Sequence, residues 1–450
     1  MKTTLVKNQI YECVIEDLGM NGEGVTHIEG QVVFVPFALI GEKVKIQIIN
    51  TKSSIAIAKV LQIIEYSKDR IDPVCPYYTK CGGCDLQHLD YDKSLKFKTA
   101  QVQKNLKNIG KIDVVVNDCV ASSAYHYRNK CALPVIYENG QTKIGFFREN
   151  SHKLIEIEDC PITKPFIKPL IKIVKDYIAK FNIMGYNEDS KQGLLKHIVA
   201  RMVGEFLIVT LVLTERNILG LDYLYKKLKQ TFNNCSLWVN INTLNNNVIF
   251  GNKFECVFGN SECVTEILGL KVSVNPASFL QVNEQIRDEI YTQVLQEIDS
   301  SNIVIDAYSG AGIMTGITAK KSSHSYGLEI VKEATQDANL LKNFNAILNM
   351  TNINGDCSIT LPQLLIKLKN KNINIVLDPP RKGCEPKVIE TVAKTNANKI
   401  IYISCNSATL ARDLKLLFEL NNNYKIKSVT PYDMFPQTRH CEVLCVLEKI

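Results

Sequence analysis

IYISCNSATLARDL, Ile401–Leu414, is the stretch whose reading decides the fold. Ile401-Tyr402-Ile403 reads as a short buried strand, Ser404-Cys405-Asn406-Ser407 as a break, and Ala408–Leu420 runs at helical spacing. A strand that gives way at once to a helix is the repeating unit of an α/β sheet. Cys405 stands at the junction, where the free N–H groups of a helix start favour negative charge. A thiol there is expected to ionise below its free pKa of about 8.5 and to serve as a nucleophile. A lone cysteine is more often an inert core residue, so the surrounding chain has to decide.

Working outward, the same alternation recurs on the N-terminal side. Strand-like Ile303–Ala307 precedes helical Gly312–Lys320, and His324–Leu328 precedes Val331–Asn345. Ile373–Leu377 precedes Pro386–Thr395, and Lys399–Ser404 precedes the helix after Cys405. Residues 266–450 are therefore expected to form a doubly wound parallel sheet. In the first unit, Ile305-Asp306-Ala307-Tyr308-Ser309-Gly310-Ala311-Gly312, Gly-rich backbone follows a strand and lets a cofactor approach the main chain. Glu329 ends the next strand, where a carboxylate can grip two ribose hydroxyls. The third glycine of the dinucleotide fingerprint is missing, which favours S-adenosylmethionine over NAD. Asp356, after the following strand, is placed either to reach the adenine or simply to make a turn.

Asp378-Pro379-Pro380-Arg381 ends a further strand. Amino-methylating enzymes carry an aromatic residue at the fourth position to stack on the target base; Arg381 argues against methylation of an exocyclic amine. Asp378 can contact the cofactor or a flipped-out base. The terminal run Arg439–Leu447 reads as a strand with His440 and Glu442 on one face. An exposed edge strand would account for that pair as well.

Upstream, residues 1–66 read as a small β-barrel. Val6–Gln9, Tyr11–Glu16, Val32–Val35, Lys43–Ile49 and Ile55–Ile64 are short β-branched runs separated by turns such as Gly22-Glu23-Gly24. Five short strands indicate an OB-like shape, which often holds nucleic acid. Residues 1–70 hold eight Lys/Arg and eight Asp/Glu, so the barrel is no basic patch.

Residues 67–265 form an α+β middle that begins with VCPYYTKCGGCDLQH. Cys75, Cys81 and Cys84 sit at C-x5-C-x2-C spacing, a metal signal, and Cys160 is the best fourth ligand. Spacing alone leaves zinc and an iron–sulfur cluster both open. In 93–124, a segment expected to pack on residues 266–450, Leu95, Val102, Leu106 and Ile109 share one helical face. Lys93, Lys96, Lys104, Lys107 and Lys111 gather opposite, either to hold RNA phosphates or as a solvated surface. YHYRNKCALPVI, GFFREN and HKLIEIEDC, then His197–Val203, Glu205–Val212 and Ser236–Ile241, read as strands, and Phe166–Phe181 as a helix.

Composition sets outer limits. Of 450 residues, 46% are hydrophobic and 22% charged, ordinary for a globular chain of about three domains. Neither an apolar membrane-spanning run nor a signal-peptide core stands out. The expected location is the reducing cytoplasm, where fifteen cysteines are no disulfide framework. A net charge of +7 permits a polyanionic partner.

The residues so far resemble a known family. EDLGMNGEGVTHIEGQVVFVPFALIGE is similar to the TRAM domain of RNA-modifying enzymes. CGGCDLQH, YRNK, FFRENSH, LDPPRKGCEP, SCNSATLARD and FPQTRHCE resemble the bacterial TRAM-containing 23S ribosomal RNA uracil-5-methyltransferases, over nearly the whole chain. The resemblance implies a Rossmann-like S-adenosylmethionine-dependent methyltransferase domain, with Cys405 as nucleophile and Glu442 as base. It implies cofactor contacts from Gln281, Tyr308, Glu329 and Asp378, and a [4Fe–4S] cluster on Cys75, Cys81, Cys84 and Cys160. Ser407 replaces a proline common after the SCN triplet, and Ile313 and Met314 replace smaller or polar residues. The implied partner is 23S rRNA, with the protein acting as a monomer on neither membrane nor DNA. The same reaction on tRNA is an alternative, although such enzymes in many bacteria look shorter. A non-catalytic iron–sulfur RNA-binding protein is a further one. A DNA cytosine methyltransferase would place its nucleophile after proline, where this chain has Ser404.

Overall fold

The computed structural model describes residues 5–52, 54–149, 151–369 and 371–450. Asn150, the last residue of the expected strand GFFREN, lies outside them.

The N-terminal unit is a six-stranded sheet in which one chain segment joins both edges. Ile10–Val14 pairs with Lys43–Thr51 at one end of the strand order, and its continuation Asp17–Leu18 pairs with Gly24–Ile28 at the other. The sheet thereby closes into a barrel without free edges. Alternate residues Val33, Val35, Val44, Ile46, Ile48, Ala56 and Ala58 fill it. Val6–Gln9 is a turn rather than the expected strand: Asn8 has φ +74°, and the Gln9 side chain accepts from the Val6 N–H. Gly24–Ile28, not assigned from sequence, is a strand.

The middle unit is a seven-stranded sheet, ordered 253–258, 234–241, 206–213, 195–203, 130–138, 141–147 and 154–156. Helices Ile167–Phe181 and Leu221–Thr231 cover one face. The second helix, which the periodicity reading passed over, is the crossover that makes Phe206–Leu213 and Asn234–Ile241 parallel.

The C-terminal sheet runs 350–354, 324–329, 303–307, 373–377, 399–404, 442–449, 424–432. Its first five strands are parallel, and Glu442–Lys449 is antiparallel to Lys399–Ser404. Strand order reverses between Ile303–Ala307 and Ile373–Leu377, and the carboxyl ends there open the crevice in which doubly wound sheets bind ligands. Helix Cys357–Lys367 was also missed, because Pro362 interrupts its pattern.

Helix Tyr91–Asn105 joins the units. Its Val102, with Leu106 of the following π turn, enters the same core as Ala411 and Leu414. Leu95 is only half-buried, and Ile109 is exposed where the helix changes to π geometry at Leu106–Gly110. Two of the expected lysine-face residues are engaged by the protein itself: Lys93 pairs with Asp69 at 3.2 Å and Lys104 with Asp17 at 2.8 Å. Among the described residues no helix is long and apolar enough to cross a membrane.

Candidate active site

The site is assembled on strand ends. Ile303–Ala307 terminates in Tyr308, held at φ +68°, a backbone strain that persists only where the surroundings enforce it. The following turn is closed by Ser309 N–H to Leu328 O (3.0 Å) and Gly312 N–H to Ser309 O (2.9 Å). Gly312 has φ +77°, and a Cβ there would lie 2.7 Å from that of Ala338; beside Gly310 the space is open. Glu329 accepts from Gly310 N–H at 2.8 Å through one carboxylate oxygen and from Val331 N–H at 2.8 Å through the other.

Helix Ser407–Leu420 fixes the loop after Ile373–Leu377. Asp413, nearly buried, accepts from Cys384 N–H at 2.8 Å and from Tyr402 Oη at 2.7 Å. Arg412 donates to Lys382 O at 2.9 Å. Gly383, at φ +79°, admits both side chains: a Cβ would sit 2.6 Å from Arg412 Nη2. The periodic helix read from sequence is thus also the clamp on Asp378–Cys384.

These elements enclose a cavity of about 470 Å³. Gln281, Tyr308, Asp378, Cys405 and Glu442 all line it, as do the Gly310 backbone and Arg381. Glu329 stands behind the glycine turn, outside the wall. Asp356 is also outside; its carboxylate caps helix Cys357–Lys367 by accepting from Ser358 N–H at 2.7 Å. The sequence reading passed over Asp306 and Phe435, which line the cavity too. Asp306 had a signal, being a carboxylate inside an otherwise apolar strand; Phe435 had none.

The cavity disfavours negative charge. Burial lifts the carboxyls of Asp306 and Asp378 to about 7. Glu442 is pushed to about 8 by burial and by Asp378, against the opposing pull of Arg381. Cys405 is pushed up to about 11 by burial and then Glu442, again opposed by Arg381. This corrects the expectation of a thiol acidified by its helix start. Asn406 is the N-cap and its side chain accepts from Ala408 N–H at 3.0 Å, so that donor is already engaged, and Cys405 lies before the helix. His440 is corrected too. The strand begins at Glu442, and His440 lies in the preceding loop with its ring nitrogens 3.3 and 3.4 Å from Arg381 Nη2. Burial, Arg381 and Arg439 hold its pKa down at about 4.

Cys75, Cys81, Cys84 and Cys160 line a separate cavity of about 320 Å³ at the edge of the middle sheet. Gly82 lets the loop close: its N–H donates to Phe147 O at 3.2 Å, and a Cβ would lie 2.8 Å from Glu149 N. Burial pushes Cys81 up to about 11 and Cys84 up to about 12, and the neighbouring thiols add to both. Among the described residues no three His, Cys, Asp or Glu side chains converge as on a single metal ion.

With this geometry in view, comparison with known proteins is decisive. Residues 90–450 match the family model described as tRNA (uracil-5-)-methyltransferase, and residues 6–61 match the TRAM domain. The chain belongs to the RNA (uracil-5-)-methyltransferase family. An uncharacterized RNA methyltransferase of Clostridium acetobutylicum is 38% identical, covering 99% of this chain and 98% of the relative. Another from Halalkalibacterium halodurans is 36% identical, over 98% and 97% respectively. Among solved structures, the tRNA (uracil-54, C5)-methyltransferase of Pyrococcus abyssi in complex with S-adenosyl-L-homocysteine matches with a TM-score of 0.79. It is 25% identical, over 97% of this chain and 99% of that one. This RNA methyltransferase therefore shares its arrangement of units with an enzyme of the same reaction class.

Proposed function

We propose that this enzyme methylates carbon 5 of a uridine in RNA, with S-adenosylmethionine as donor, through a covalent Cys405–uracil adduct resolved by Glu442. One observation carries the reading: Cys405, Glu442 and Asp378 face a single cavity that also contains the glycine turn. Carbon 5 of uracil is a poor nucleophile. Addition of the Cys405 thiolate to carbon 6 moves the ring electrons toward the carbonyl oxygen and makes carbon 5 an enolate carbon that can take a methyl group. Glu442 then removes the carbon 5 proton; the ring double bond re-forms and the thiolate leaves. The base has to leave its stack to reach a cavity of this depth.

The donor supplies a methyl group on a sulfonium centre. The cavity suits a cation, because Asp306, Asp378 and Glu442 are all held above their usual range and positive charge would relieve them. Gln281, Tyr308 and Asp378 would line its site, and Glu329 would hold it through the glycine turn; Asp356, engaged in its helix cap, would not touch it.

Cys75, Cys81, Cys84 and Cys160 would hold a [4Fe–4S] cluster, because the space of about 320 Å³ that they line together with Cys131 accommodates a group larger than one ion. None of Cys405, Glu442 or Asp378 borders that space, so its role is to hold the chain.

For the RNA, 23S rRNA is the leading substrate from the sequence resemblance, and tRNA is the second reading. The likeness to the Pyrococcus tRNA enzyme spans 97% of this chain, so length does not separate the two. The test is RNA bearing 5-fluorouridine. Fluorine cannot leave as a proton does, so an enzyme–RNA adduct stable to denaturant is expected; no adduct, or one undiminished in Cys405→Ala, refutes the mechanism. Mapping 5-methyluridine in rRNA and tRNA from a deletion strain identifies the substrate.

A further inference from the structure

Glu442 is the first residue of its strand and pairs with Tyr432 across a hairpin, so 433–441 is the loop that delivers it. Phe435, from the same loop, lines the cavity beside it. Between these two residues the loop leaves the methyltransferase sheet and reaches the turn that carries Cys84. Asp85 N–H and Leu86 N–H both donate to Gln437 O at 3.0 Å. The Asp85 carboxylate accepts from Arg439 Nη1 at 2.9 Å and from Arg439 N–H at 3.2 Å. Asp85 is itself held, since its carbonyl accepts from Tyr78 Oη at 2.6 Å. Gln437, only 4% exposed, has φ +67°, a strained conformation that these contacts impose.

We infer that Asp85 is a positioning residue for the methylation reaction: the Cys84–Leu86 turn pins the loop that aims Glu442 at its substrate. This rests on the role proposed above for Glu442. The reason is mechanical. The first half of the loop is held elsewhere, by Lys98 on Asp433 and on the Phe435 carbonyl and by Tyr127 on the Pro436 carbonyl. The half that leads into Glu442 is held by the Asp85 turn, through four hydrogen bonds to Gln437 and Arg439, and displacements on the order of 1 Å cost about 100-fold in rate. Because Asp85 follows Cys84 directly, whatever the thiols hold is mechanically linked to the base.

The test uses the full chain with its thiol site loaded. In Asp85→Ala, amide exchange of 433–441 is expected to rise about 10-fold while that of 401–414 stays unchanged. On natural RNA the covalent adduct should form as in wild type but release on the order of 10- to 100-fold more slowly. Asp85→Glu, which keeps the carboxylate, should restore both. Unchanged exchange at 433–441, or adduct formation and release falling together as in general destabilisation, overturns the inference. If Glu442→Gln itself releases product at the wild-type rate, the base assignment fails separately, and the exchange measurement alone decides whether the turn pins the loop.

Discussion

Two cavities in this protein are lined by cysteine, and they differ in their other groups. Around Cys75, Cys81, Cys84 and Cys160, thiols face thiols, and the neighbouring sulfurs make ionisation of Cys81 and Cys84 harder. Around Cys405, one thiol faces three carboxyls and an arginine. Burial raises the thiol pKa in both places. The thiol cavity has one carboxylate, Asp159, and one arginine, Arg128, among several cysteines, whereas the second gathers three carboxyls and Arg381 around a single thiol. The thiol is common to both cavities, and its neighbours decide whether it holds a group or attacks one.

Substitutions can break or sharpen that contrast. The largest effect is expected at Cys405→Ala, where methyl transfer should fall by a factor on the order of 10⁴ or more in single-turnover assays. Glu442→Gln should slow turnover by about 10²- to 10⁴-fold while the adduct accumulates on natural RNA, visible as a shifted band on a denaturing gel; release at the wild-type rate would remove Glu442 from the role. Arg381→Gln tests the electrostatics. Glu442 and Cys405 both have to be ionised to act, so turnover should rise with pH from about 8 towards about 11 in wild type. Arg381 lowers the pKa of both Glu442 and Cys405, so its removal should move that limb to higher pH; a fixed limb in the pH–rate profile would uncouple Arg381 from the pair.

In the other cavity, if the thiols hold the proposed cluster, Cys84→Ala should lower the iron content and lower Tm by about 5 °C or more, while Cys405 still captures 5-fluorouridine RNA. An unchanged iron content would exclude Cys84 as a ligand. The smallest effect is expected at Lys104→Ala, whose partner Asp17 is exposed: at most about 1 kcal/mol in denaturant unfolding.

Much of this was legible in the chain. The alternation around Ile401–Leu414 carries the parallel sheet because each strand is buried and each helix repeats every three to four residues. The glycine turn and the C-x5-C-x2-C cluster are local, and local spacing is visible in a sequence. Helix Leu221–Thr231 was harder to see, because its apolar stripe is short and flanked by lysines. Lys98 was invisible as anything but one more lysine on a basic helix. In the fold it is fully buried and paired with Asp433 at 2.5 Å, a partner 335 positions away.

The sequence by itself pointed to a cofactor-binding α/β sheet, through a cysteine after a strand, a glycine turn and a carboxylate at the next strand's end, and to the reaction class through its resemblance to a known family. Only the tertiary structure decided how those residues are charged and what holds them. The pKa of Cys405 depends on Glu442 and Arg381, and the aim of Glu442 on a turn near residue 85. Glu442 and Arg381 lie 37 and 24 positions from Cys405, and Arg439 lies 354 from Asp85; electrostatic and packing forces act through space, with no trace in the local pattern of either partner.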